Sequence, residues 1–109
     1  MDLSISCRET KDLLDAATPA PVFLDCRERE EYDLVHIKGS ILLPMSKIGD
    51  RIGELAGREE DHLIVYCHHG MRSAQVAQWL RTRGFPNVQT MDGGIDQWAE
   101  EIDPSLPRY

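Results

Sequence analysis

Apolar positions along this chain come in short blocks, set apart by polar stretches that carry proline or glycine. The densest block is LIVYC, 63–67, whose unbroken apolar run predicts a strand buried on both faces. VFLDC, 22–26, has the same character, and SILLP, 40–44, and VQTM, 88–91, predict two further strands, the first of them stopped by Pro44. Between the blocks the period changes. In SAQVAQWLRTRG, 73–84, Val76, Ala77 and Leu80 share a helical face and Gly84 supplies a stop. Ser6 with Glu9 three residues on forms a capping box that opens a helix through about Ala17, with Leu13, Leu14 and Ala17 as its apolar face. Segment 28–37 predicts a short surface helix or turn, and 94–102 a last helix. Segment 45–57 spaces Ile48, Ile52 and Leu55 helically, but Gly49 and Gly53 make it weak. Residues 103–109, DPSLPRY, read as an extended tail.

Strands and helices thus alternate, with connections too long for hairpins. That order predicts an α/β fold: a central parallel sheet flanked by helices on both faces. The 109 residues suffice for one domain and its own core, and no repeat or linker divides them.

Charge narrows the partners. Twelve Lys and Arg against nineteen Asp and Glu leave a net charge of -7, which argues against a nucleic-acid or anionic-membrane footprint. No apolar stretch is long enough to span a bilayer, and MDLSISCRET lacks the basic and apolar regions of a signal peptide. Cys7, Cys26 and Cys67 are odd in number and contain no CxxC pair, which fits reduced thiols in a cytoplasm better than a disulfide framework or structural zinc.

Chemistry concentrates in YCHHGMRSA, 66–74. In an open parallel sheet, ligands sit beyond the carboxyl ends of the strands. Cys67 ends the best strand, and the strongest helix begins about six residues later. Gly70 allows a tight turn whose successive N–H groups aim inward as an anion nest, and the helix start adds its own unpaired donors. A thiolate there is stabilised, so Cys67 is expected to ionise below the ~8.5 of free cysteine. Arg72, with His68 or His69, supplies positive charge. Nucleophile and anion receptor come from one loop.

Cys67-His68-His69-Gly70-Met71-Arg72-Ser73 and the helix after it resemble the active-site loop of single-domain rhodanese sulfurtransferases. LDCREREEYDLVHIKGSILLP is similar to that family's strand, Asp-x-Arg turn and His-x-x-Gly segment, and MDGGIDQWAE to its late Gly-Gly-x-x-x-Trp helix. The resemblance runs from Ser4 to Glu101 and implies one rhodanese-like domain over 1–109, with 103–109 as a tail. It further implies sulfane-sulfur transfer from a small anionic donor such as thiosulfate, or from a persulfide, to a thiol or cyanide. Cys67 would carry the sulfur as a persulfide, the loop from His68 to Ser73 would bind it, and Arg72 would orient the donor. No metal or organic cofactor is implied. A protein partner in a sulfur relay is a further expectation.

Four residues, HHGM, separate Cys67 from Arg72. Phosphatase relatives of this fold place five there, so the shorter loop favours sulfur over phosphate or arsenate. Histidines stand where many relatives carry Arg, Lys or small polar residues. The loop is less positive for it, leaving thiosulfate and a low-charge persulfide donor both open. The side chains of His68 and His69 either act directly or lend only their amides. Adjacent histidines rarely converge on one ion, so no metal site is expected. Asp25 and Arg27 read as an exposed turn, and the resemblance places them near the active-site rim in a structural ion-pair or hydrogen-bond role. Cys26 ends a strand at the same sheet edge as Cys67, which admits a resolving thiol or an inert one.

Overall fold

A computed structural model describes all residues, Met1–Tyr109. Five strands form one all-parallel sheet in the order β1-β5-β4-β2-β3. They are β1 (Ser4–Ile5), β2 (Val22–Asp25), β3 (Ile41–Leu42), β4 (Leu63–Tyr66) and β5 (Val88–Met91). The helices are α1 (Cys7–Ala16), α2 (Arg29–Leu34), α3 (Ile48–Arg51), α4 (Met71–Thr82) and α5 (Gly94–Glu101).

Alternation along the strands sorts side chains to two cores. Leu63, Val65 and Cys67 point to one face with Leu24 and Cys26, where they meet Val76, Ala77 and Leu80 of α4 and Ile48 of α3. Ile64 and Tyr66 point to the other with Phe23, against Cys7 of α1 and Ile95 and Trp98 of α5. Both faces are covered, so the middle strand β4 is buried at every position. This is the α/β layering that the sequence pattern predicts.

Element boundaries follow local chemistry. Ser6 caps α1 as expected: its side chain accepts from the Glu9 N–H at 3.0 Å, and Glu9 reaches back to Ser6. The helix α4 starts two residues earlier than expected, at Met71, because Gly70 already turns the chain. It closes at Gly84, where Phe85 N–H reaches the Leu80 carbonyl at 3.2 Å. The glycine-weakened segment 45–57 breaks into a single α-helical turn, α3, between two 3₁₀ turns at Met45–Lys47 and Ile52–Leu55. Strand β1 has only two residues, too few for any periodicity, and is held by pairing Ser4 with Thr90 and Ile5 with Met91. No helix is long and apolar enough to cross a membrane.

Candidate active site

The sheet delivers Cys67 to the carboxyl end of β4, and the chain then turns at once into α4. Gly70 makes the turn with φ of 114°, a conformation other residues rarely adopt. Its N–H points at the Cys67 sulfur at 3.0 Å, and the Ser73 N–H does so at 3.4 Å. Ser73 Oγ lies 3.5 Å from the same sulfur and is held by Thr90 Oγ1 at 2.6 Å. Two amides of the loop therefore converge on Cys67.

The other side of the loop is clamped by α5. The N–H groups of Ile95 and Asp96 donate to the carbonyls of Cys67 at 2.9 Å and His68 at 3.1 Å. A trans peptide holds its C=O and N–H in opposite directions. Binding those carbonyls to α5 therefore turns the His68 and His69 N–H groups away from it. No backbone carbonyl accepts from His68, His69, Met71 or Arg72. The close approach requires Gly94: a Cβ there would overlap the Cys67 and His68 carbonyl oxygens, and its φ is 60°. Gly93–Gly94 lines the loop, although in sequence it stands out only as part of a late helix motif. A Gly-Gly pair just after a strand was the available signal.

Cys67 is held well below the ordinary thiol range. The neighbouring thiol of Cys26 contributes most, followed by the Ser73 hydroxyl and amide and the Gly70 amide, while burial opposes them. Cys26 is pushed up by the same contact and by burial, so the shared proton stays on Cys26. The amides decide this direction, because they point at Cys67. Alkylation of Cys67 should accordingly proceed at a pH-independent rate through neutrality and into mild acid. A rate still climbing through about pH 8.5, as for a free thiol, would refute the cradle's effect. Cys67 retains only 1% exposure, so the sulfur forms the floor of the loop rather than a protruding nucleophile.

Around the loop stands a rim of ion pairs. Arg72 grips Glu31 of α2 with both guanidinium nitrogens, at 2.7 and 2.9 Å. Arg72, with burial opposing and Tyr109 assisting, lowers Glu31 to about 2. Tyr109 folds back from the tail: its hydroxyl donates to Glu31 at 2.8 Å and accepts from Arg27 at 2.7 Å. The tyrosine ring stacks on His68 at 3.9 Å, and His68 on His69. Burial, then neighbouring His69, lowers His68 and favours its neutral form. Glu31, Tyr109 and Asp96 escaped the sequence reading.

Asp25 and Arg27 form an ion pair at 2.7 Å, as expected, but both side chains are fully buried rather than set in an exposed turn. Arg27 also donates to the Val35 carbonyl at 2.6 Å, so its charge is satisfied and fixes the β2–α2 connection. His68, His69 and Asp96 bring ligand-capable atoms within 4.8 Å of one another, but Asp96 is already bound to Arg108 at 2.9 Å. Cys7 lies on the opposite face of the sheet, where burial, Glu101 and Asp92 push it up to about 12. The largest cavity, about 560 Å³, lies among Leu14, Phe23, Trp98 and Ile102 on that same face, remote from the thiolate.

Comparison with known proteins agrees with this geometry. A family model described as Rhodanese-like domain matches residues 6–101. The probable adenylyltransferase/sulfurtransferase MoeZ of Mycobacterium tuberculosis is 32% identical over 97% of this chain, which spans 27% of that protein. The adenylyltransferase and sulfurtransferase uba4 of Ogataea parapolymorpha is 32% identical over 86% of the chain, again spanning only 24% of its length. Among solved structures, the human single-domain sulfurtransferase TSTD1 superposes with a TM-score of 0.81 at 26% identity, covering 93% of this chain and 98% of that one. A thiosulfate sulfurtransferase from Pseudomonas aeruginosa gives 0.80 at 32% identity over 96% of this chain and 20% of its own. Shared fold, matched motifs and identity across nearly all its length establish that the chain belongs to the rhodanese-like domain family.

Proposed function

We propose that this chain is a sulfurtransferase that carries sulfane sulfur on Cys67. The observation that carries the reading is the pair of loop amides, Gly70 and Ser73, aimed at the Cys67 sulfur. The thiolate attacks the sulfane sulfur of a donor, thiosulfate or a persulfide, and sulfite or a thiolate departs. The outer sulfur of the resulting persulfide takes up the negative charge. The uncommitted amides of His68, His69, Met71 and Arg72 are the donors that receive it. A thiol or cyanide then attacks the outer sulfur, and Cys67 leaves as the thiolate it was. Every step is a displacement at sulfur, so the reaction calls for no metal or organic cofactor. A reducing cytoplasm suits it, since turnover needs Cys67 free.

One observation favours a relay role over turnover of free thiosulfate. The guanidinium of Arg72 is bound to Glu31, so the loop's fixed cation is already neutralised before any anion arrives. A persulfide presented by a protein partner needs less positive charge at the rim. The relatives that carry adenylyltransferase and sulfurtransferase names are longer chains, which is compatible with a domain that receives sulfur within an assembly.

Intact mass spectrometry tests the reading. Incubation with thiosulfate or glutathione persulfide should add one sulfur atom, and cyanide should strip it. Loading by the persulfide alone selects the relay role. Loading by neither donor rejects the assignment.

A further inference from the structure

Cys67 does not face its loop alone. The register that pairs Asp25 with Tyr66 continues one residue further, where Cys26 N–H donates to the Tyr66 carbonyl at 3.1 Å. Cys26 therefore stands beside Cys67 on the neighbouring strand, on the same face of the sheet and in the same apolar cluster. Adjacent strands lie about 4.8 Å apart, within the Cα separations of roughly 4.4–6.8 Å that a disulfide spans. Both thiols are 1% exposed, and neither is paired in a disulfide.

The surroundings of Cys67 differ on its two flanks. Its amide donors come from the β5 side: Ser73 is tied to Thr90, and Gly70 lies against the Gly93 backbone. Cys26 comes from β2, on the other side of β4. Cys26 thus meets Cys67 Sγ on the flank that those donors leave open, the side from which a displacement at Sγ can begin.

Resting on the persulfide reading above, we infer that Cys26 is a resolving thiol: it attacks Sγ of the Cys67 persulfide, expels the outer sulfur as hydrosulfide and closes a Cys26–Cys67 disulfide. The new S–S bond is made with a Cys26 lone pair, and the electron pair of the broken bond leaves with the outer sulfur. The proton of Cys26 leaves with it, giving HS⁻. The donor's sulfane sulfur is the only oxidant consumed. In the resting state this step is silent, because Cys26 holds its proton against the Cys67 thiolate. Persulfidation moves that negative charge one sulfur outward, into the loop, and removes the partner that kept Cys26 protonated. A loaded chain that meets no acceptor therefore releases sulfide and locks itself, until a dithiol reopens it.

The test uses the wild-type chain and the Cys26→Val, Cys26→Ser and Cys7→Ser variants. Each is loaded with glutathione persulfide or thiosulfate, desalted, and held without acceptor. Sulfide release and intact mass are followed after thiols are blocked under denaturing conditions. Wild type and Cys7→Ser should release one sulfide per loaded chain, end two hydrogens lighter than the dithiol, and yield a linked Cys26–Cys67 peptide. Both Cys26 variants should keep the added sulfur and release none. Persistent wild-type persulfide without the linked peptide overturns the inference, as does sulfide release from Cys26→Val at the wild-type rate. If no chain, including the Cys26 variants, gains sulfur, the persulfide reading falls and takes this inference with it.

Discussion

Replacing Cys67 with alanine should abolish sulfur transfer and leave the fold in place. The reaction needs a polarisable anion at the floor of the loop, and no other group there can supply one: the loop amides aim at position 67 and not at Cys26, and Cys7 lies across the sheet. The structural cost is moderate. Alanine forfeits the sulfur's contacts in the core and leaves the Gly70 and Ser73 amides without their acceptor, roughly 1–3 kcal/mol for each amide that water does not reach. A domain of this size withstands such a loss. The Cys67→Ser variant restores an acceptor for those amides and should melt closer to wild type while remaining inactive. Transfer assays and thermal melts on both variants check this. Residual transfer above a few per cent of wild type would show that Cys67 does not carry the sulfur.

Gly94→Ala should be nearly as damaging, although position 94 touches no sulfur. Its φ of 60° disfavours any Cβ, at a cost of about 1–2 kcal/mol. The larger effect is positional. The new methyl would press on the Cys67 and His68 carbonyls, lift the loop from the Ile95 and Asp96 amides, and swing the cradle away from the sulfur. Displacements of about 1 Å at a reacting centre cost on the order of 10²-fold in rate, and that is the loss expected in kcat/KM. Gly84→Ala is the matched control. Its φ of 96° imposes comparable strain, but nothing lies within 4 Å of the added carbon. It should lower the melting temperature and spare activity. Equal activity of the two variants would contradict the clamp.

The parts of this site that were legible in sequence are those encoded locally. An apolar run ending in cysteine, a glycine three residues on and a helix beginning directly afterwards specify a strand, a turn and a helix N-terminus, and these fix where the amides point. The unbroken apolar run LIVYC likewise placed Cys67 and predicted burial on both faces. What stayed hidden was set by contacts between distant positions. Arg72 meets Glu31 across 41 residues, and Arg27 meets Tyr109 across 82. No spacing rule reaches that far. A proline-punctuated tail gave no sign that its tyrosine would stack on His68. The turn DCR read as exposed because charged residues usually are, whereas an Asp25–Arg27 pair whose every side-chain nitrogen and oxygen is hydrogen-bonded can be fully enclosed. The near-complete enclosure of Cys67 likewise takes distant segments. It follows from strand pairing on both sides of β4, with α4 covering the face to which Cys67 points.

At Cys67 and His68 the loop is held by main-chain bonds from a helix end. Positions 68, 69 and 71 therefore have latitude. Met71 already stands 78% exposed, and the His68 carbonyl meets the Asp96 amide whatever side chain position 68 bears. Selectivity for the incoming molecule can thus be rewritten at three addresses without disturbing the machinery beneath, which makes this small scaffold a convenient chassis for re-engineering.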